Sequence, residues 1–224
     1  MAHPLDRPVW NALTTRQSGL AVGDRRALRY DPDYALFAAA AAPDDESLRA
    51  LSALVSSEGA VGLVEAEEWP LPPGLTADRR PTIHQMVADR IEPREAVGHL
   101  ELGDEDAAEM LALARLTDPG PFFALTHQLG RFVGLRVEGR LVAMAGERMK
   151  VPGFSEVSAV CTHPEYRGRG LAGGLMRIVA SRIVGRGECA FLHTYAANES
   201  AVRLYQSLGF RFRAEVRYTI LRRL

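Results

Sequence analysis

The sequence predicts a mixed α/β fold: a twisted sheet flanked by helices, preceded by an N-terminal α/β extension. Three observations carry that expectation. From about residue 99 onward the apolar periods run helix, three strands, helix, strand, helix, strand, the pattern of a mixed sheet covered by helices. Two of the strand candidates, residues 140–150 and 155–162, have small or apolar residues on both faces, as central strands covered from both sides do. A glycine-rich run beginning at Arg167 falls between a strand candidate and a helix candidate.

In chain order, residues 10–21 and 27–30 read as short extended pieces, and Asp31-Pro32-Asp33 as a turn. Asp44-Asp45-Glu46 opens a helix, its carboxylates suited to the positive helix end. Leu48, Leu51, Leu54 and Val55 fall on one face of it. Residues 60–65 predict a strand, and residues 69–80, with Pro70, Pro72 and Pro73, a loop. Residues 83–91 are apolar enough for another strand. A second unit is expected to start near His99, which divides the chain into residues 1–98 and 99–224. Asp104-Glu105-Asp106 begins a helix with Ala107, Met110, Leu111 and Ala114 on one face, and Asp118-Pro119-Gly120-Pro121 stops it. Strands at 131–137 and 140–150 flank the hairpin signal Glu138-Gly139, and Pro152-Gly153 turns into the third strand. Leu171, Leu175, Ile178, Val179 and Ile183 line a helix, and residues 189–195 make a strand. Ala201, Leu204, Tyr205 and Leu208 line the last helix. Gly209 stands where a left-handed helix terminus wants glycine. Residues 211–221 close the chain as one or two strands.

Bulk properties narrow the partners. A chain of 224 residues makes one generous domain or two small ones. A net charge of -1 gives no basic field for nucleic acid, so any anion must be bound locally. Cys161 and Cys189, the two cysteines, make no disulfide framework. Neither C-x-x-C nor H-E-x-x-H occurs, so no metal is expected. With no apolar signal core and no membrane-length apolar tract, the expectation is a soluble cytoplasmic protein, monomer or homodimer, without membrane or nucleic-acid partners.

The chemistry concentrates at Arg167-Gly168-Arg169-Gly170-Leu171-Ala172. Glycines let the backbone turn tightly and approach a ligand. A helix start offers unpaired N–H groups and the positive end of the dipole, and two arginines add charge beside it. The run departs from the dinucleotide fingerprint G-x-G-x-x-G and lacks the G-K-[ST] ending of a nucleotide P-loop. Alone it indicates an anion site at a helix start, with a solvated glycine-rich turn as the equally weighted alternative.

A second motif, Asn198 to Phe210, follows at a suitable distance. Arg167, Gly170 and Ala172 meet [RQ]-x-x-G-x-[GA]; Asn198, Ala201, Tyr205, Gly209 and Phe210 meet N-x-x-A-x-x-x-Y-x-x-x-G-F. Together the two motifs resemble the GNAT superfamily of N-acetyltransferases over residues 99–224, with a glycine-N-acyltransferase-like flavour. The resemblance implies a mostly antiparallel sheet and acetyl-CoA as co-substrate. It also implies a small-molecule or peptide amine as acceptor. Residue by residue, it assigns the pyrophosphate of coenzyme A to the backbone from Arg167 through Gly168, Arg169, Gly170 and Leu171 to Ala172. The pantetheine arm goes to Val160, Cys161 and Thr162, with the Val160 N–H on the thioester carbonyl. Thr162 departs from a position where many members carry valine, but that carry-over rests on backbone contacts. Asn198 binds the pantetheine or the start of the last helix. Tyr205 becomes the general acid, chemically sensible because a phenol beside the sulfur can protonate the departing thiolate.

The attacking amine must be neutral, so a base or water takes a proton. Glu156 leads the candidates, because it lies four residues before Val160 on the same strand and hence on the same face. Glu147 is second and His193 third; water alone is the plain alternative. Cys161, with His163 nearby, raises a covalent route, weighed below direct transfer. Trp10 and Trp69 are candidates to line an acceptor pocket, with ordinary burial the commoner fate. Residues 1–98 match no motif and read as a degenerate second half, an acceptor-shaping lid or a cover for a sheet edge. Other functions left open are a longer acyl donor, a hydroxyl acceptor, and an acyl-CoA sensor without turnover.

Overall fold

The computed structural model describes residues 3–92 and 97–224. A nine-stranded sheet organises the molecule. Strands β4 (Ala60–Glu65), β5 (Leu75–Arg79) and β6 (Thr82–Ala88) come from the first part of the chain. Strands β7 (Leu100–Leu102), β8 (Phe132–Val137), β9 (Arg140–Val151), β10 (Phe154–Thr162), β11 (Cys189–Tyr195) and β12 (Arg211–Arg223) come from the rest. Their order is β4-β12-β6-β11-β10-β9-β8-β7, with β5 pairing β12 beside β4. All pairs are antiparallel except β10 with β11. Strand β6 sits between β11 and β12, so the boundary drawn at residue 98 does not separate two sheets.

One face is covered by α4 (Leu171–Gly185) and α5 (Glu199–Ser207). Leu175, Met176, Val179 and Ile183 pack there on Met86, Ala143, Ala145, Val157 and Leu192. The other face carries α3 (Ala107–Thr117), with Met110 and Leu113 on Phe132, Met144 and Cys161. Beside α3 lies the N-terminal module: α1 (Pro8–Leu13), the small sheet β1 (Ala21–Gly23), β2 (Ala27–Tyr30), β3 (Ala38–Ala40), and α2 (Asp45–Ala53). Leu5, Val9, Leu13, Tyr30 and Phe37 of that module pack on Val64, Ile83, Val87, Met149 and Phe191.

Most elements lie where the apolar pattern puts them, and Asp44 caps α2 by accepting the Ser47 N–H at 2.8 Å. Two segments differ. Residues 8–13 form a helix rather than an extended piece, because Pro8 sets the first turn and Val9, Ala12 and Leu13 then share a buried face. Six residues are too few for that period to stand out. Within the proline-rich stretch, residues 75–79 form a strand, drawn into order by pairing with the end of β12. Among the described residues no helix is long and apolar enough to cross a membrane.

Candidate active site

Strands β10 and β11 begin as a parallel pair, Phe154 opposite Cys189 to Glu156 opposite Phe191, and then part. Both run on, β10 to Thr162 and β11 to Tyr195, so the sheet opens as a wedge. Strand edges that part inside a sheet offer backbone groups to an extended ligand. A β-bulge sharpens the opening: Ser158 lies opposite Gly146 and Cys161 opposite Met144, so two residues of β10 stand against one of β9. Ala159, within the bulge, has φ +52°. Val157 and Val160 consequently both pack toward α4, three residues apart, which plain alternation forbids. The parity argument that placed Glu156 on the face of Val160 fails for this reason.

A groove of about 370 Å³ runs along the α4 side of the wedge. Val160, Cys161, Thr162, Arg167, Gly168, Gly170, Leu171 and Ala172 line it, with Thr117 and Leu204. Gly168 and Gly170 have φ of +77° and +74°, and a Cβ on either would meet nothing within 4 Å. Glycine is needed there for backbone conformation, and the space beside it is open. Gly170 is the N-cap of α4 and among the described residues no side chain caps the helix, which leaves its first N–H groups for a ligand. Among the described residues the buried Thr162 hydroxyl has no hydrogen-bond partner, so it is a polar group a ligand atom could satisfy. Arg169 stacks over the Tyr166 ring at 4.9 Å and reaches the Glu165 carbonyl, while Arg167 Nε donates to the Thr162 carbonyl at 3.4 Å. These features fit a diphosphate at the helix start and an extended arm along β10.

The groove shares Val160 and Pro119 with a second cavity of about 240 Å³ that passes through the wedge. Tyr205, Met176 and Leu192 line its α4 side. Arg148, Glu156, His193, Phe37, Val64, Ile83 and Tyr218 line its N-terminal side. Burial pushes the Tyr205 phenol up, with a smaller opposite push from the Thr194 hydroxyl, so it stays protonated at neutral pH. Asn198 lines the same cavity and caps α5, its Oδ1 accepting the Ala201 N–H at 3.3 Å.

The base candidates separate clearly. Glu156 is fully buried. Burial alone would raise its pKa, but the Arg148 guanidinium outweighs that and holds the carboxyl well below the usual range. Arg148 Nε and Nη2 donate to it at 2.8 Å each, and His193 Nδ1 lies 2.8 Å from Oε1. A second bulge contributes: β9 spends Glu147 to Lys150 against Val157 to Ser155, and the Met149 N–H donates to Glu156 Oε2 at 3.3 Å. A carboxylate so saturated has little affinity for another proton. Glu147 lies on the opposite face, paired with Arg186 at 2.8 and 2.9 Å, and does not reach the cavity. His193 Nε2 is 3.0 Å from Gln85 Nε2, which also donates to the Leu5 carbonyl; the Gln85 carbonyl oxygen accepts from Arg213 at 2.7 Å. Those partners orient the Gln85 amide so that its Nε2 faces His193 Nε2 as a donor, while His193 Nδ1 faces Glu156.

Cys161 is buried and its thiol is pushed up to about 11 by burial, which leaves little thiolate. His163 is engaged instead by the Glu165 N–H and by Arg140. Trp10 and Trp69 flank the Arg7 guanidinium, at 5.4 and 4.6 Å, and line no part of the cavity. Sequence reasoning missed Arg148, Gln85, Phe37 and Tyr218. The one available signal was Arg148 inside a strand buried on both faces, where a charge demands a partner.

Comparison with known proteins identifies the family and the fold. A family model described as FR47-like protein matches residues 132–219. The solved structure of a GNAT-family acetyltransferase from Novosphingobium aromaticivorans is 47% identical, covers 100% of both chains and superimposes with a TM-score of 0.94. The N-alpha-acetyltransferase RimI of Mycobacterium tuberculosis is 32% identical over 145 residues, 61% of this chain and 82% of its own. A GCN5-related N-acetyltransferase from Kribbella flavida shares the fold, with 22% identity, 96% and 94% coverage and a TM-score of 0.62. Fold and site together define an enzyme of acyl transfer that takes its donor as a coenzyme A thioester. Within that class, the chain belongs to the GNAT family of acetyltransferases, whose co-substrate is acetyl-CoA.

Proposed function

We propose that the protein moves an acetyl group from acetyl-CoA to a primary amine by direct attack, with both substrates bound at once. The meeting of groove and cavity at Val160, with Tyr205 lining the cavity, carries this reading. The donor lies with its pyrophosphate on the Gly168–Ala172 backbone and its arm along Val160, Cys161 and Thr162. The acceptor occupies the cavity, which meets the donor groove at Val160. The amine nitrogen attacks the thioester carbonyl carbon, the Val160 N–H stabilises the developing oxyanion, and the C–S bond breaks. Tyr205 protonates the departing thiolate. Water takes the proton from the amine, since Glu156 and His193 are committed to each other and to their neighbours. Their role is positional: with Arg148 and Gln85 they hold the cavity wall. Residues 1–98 serve as the acceptor-shaping part, because Phe37, Val64 and Ile83 belong to that wall.

Free-thiol release from acetyl-CoA on a panel of primary amines tests the reading. Turnover is expected with at least one amine, and Tyr205→Phe is expected to lower kcat roughly 100-fold while acetyl-CoA binding stays intact. Tight acetyl-CoA binding with no thiol release on any acceptor would make the protein a sensor and overturn the proposal.

A further inference from the structure

The cavity that receives the acceptor has two unlike ends. Its mouth carries Tyr195, 49% exposed, and the exposed Asp118 nearby on the α3–β8 connection, with the half-buried Gly120 beside it. Its inner wall on the N-terminal side is Phe37, Val64, Ile83 and Tyr218, each 7% exposed or less. A wall so buried closes the cavity at that end. It is also apolar: the Phe37 and Tyr218 rings lie 6.1 Å apart, and the Tyr218 hydroxyl is the one polar side-chain group among the four residues.

The charges near this wall are already spent. Arg148 stacks over Phe37 at 4.7 Å and gives two N–H donors to Glu156. Glu156 already accepts from Arg148, His193 and the Met149 N–H, and both ring nitrogens of His193 are engaged, by Glu156 and Gln85. The lining carboxylate without a side-chain hydrogen bond or ion pair among the described residues is Asp118, out at the mouth. A second ammonium carried to the inner wall would lose its water beside the Arg148 guanidinium with no counter-charge, a costly placement. A peptide backbone there would leave its N–H and C=O groups against apolar side chains. The volume of about 240 Å³ lies below the ~300–1,000 Å³ of sites for drug-sized ligands.

We infer that the acceptor is a small monoamine with an uncharged apolar body, aromatic or branched, and that this body seats against Phe37, Val64, Ile83 and Tyr218. The inference rests on the transferase reading above and adds the substrate class. Asp118 at the mouth draws the ammonium in, and the amine turns back toward Val160 as the body fills the apolar end.

The test is kcat/KM for thiol release by the full chain with acetyl-CoA and five acceptors. These are 2-phenylethylamine, isopentylamine, putrescine, spermidine and a hexapeptide with an N-terminal alanine. The two monoamines are expected to exceed the other three by about tenfold or more, the factor that 1.4 kcal/mol of transfer energy supplies. Phe37→Ala is expected to raise KM for 2-phenylethylamine about tenfold more than it raises KM for methylamine. Putrescine, spermidine or the peptide matching or exceeding the monoamines overturns the inference while leaving the transferase reading in place. Absence of thiol release with all five and with every other amine tried, while acetyl-CoA still binds, removes that reading and the inference with it. The wild-type panel decides the matter even where the Phe37 variant folds poorly.

Discussion

The donor groove and the acceptor cavity touch at Val160, yet they are built in opposite ways. The groove comes almost entirely from one stretch of chain, Val160 to Gly173, and it offers backbone: a bulged strand, two left-handed glycines and an uncapped helix start. The cavity gathers Phe37, Ile83, Arg148, Glu156, His193, Tyr205 and Tyr218 from five strands, a helix and a loop, and it offers side chains. A site made of backbone is fixed by local conformation and tolerates change in its side chains. A site made of side chains is fixed by packing and depends on every partner.

That difference predicts unequal responses. The largest is at the groove's backbone. Gly170→Val puts a β-branched residue at φ +74°, and it is expected to abolish acetyl-CoA binding by calorimetry. Normal binding by this variant would mean that the run does not hold the pyrophosphate. At the cavity the expected loss is in stability. Glu156→Gln strands the Arg148 guanidinium in the interior, at a cost of about 3 kcal/mol. Thermal melts should then show Tm lower by roughly 6–12 °C for a chain of this length. An unchanged Tm would contradict the positional role given to Glu156.

Smaller effects sharpen the contrast. Arg169→Ala removes a side chain from a backbone site and is expected to weaken acetyl-CoA about twofold to fivefold, by roughly the worth of one exposed charge interaction. The smallest concerns Tyr205, the proposed acid. Burial raises the Tyr205 phenol above its ordinary value of about 10, so it remains a proton donor throughout the range in which the ammonium, of similar pKa, loses its proton. The rate kcat/KM should therefore climb steadily up to about pH 9.5 with no falling limb. A fall below that pH in the wild type that is missing in Tyr205→Phe would show an acid of lower pKa than this site provides.

The contrast also explains what the sequence could disclose. The placement of Gly168 and Gly170 at the groove and of Asn198 and Tyr205 at the cavity was legible because each lies in a motif whose strand and helix are set locally. The long helices and the strands from β8 to β12 were legible through their apolar periods. Glu156 was noticed but given the wrong face, because the bulge at Ala159 shifts alternation and no residue type announces it. Phe37 and Tyr218 were invisible as site residues: an apolar side chain that walls a cavity looks, in sequence, like one that fills a core. The insertion of β6 between β11 and β12 was equally hidden, since strand order depends on pairings far apart in the chain.

The central claim is that groove and cavity meet at Val160, so that donor and acceptor are bound together and the acetyl group passes directly between them. Initial rates with acetyl-CoA and 2-phenylethylamine, or the best amine of the panel, both varied test this most directly. The account predicts double-reciprocal lines that intersect, and a Cys161→Ala variant that keeps most of the activity. Parallel lines, together with an acetylated protein trapped in the absence of amine, would contradict it.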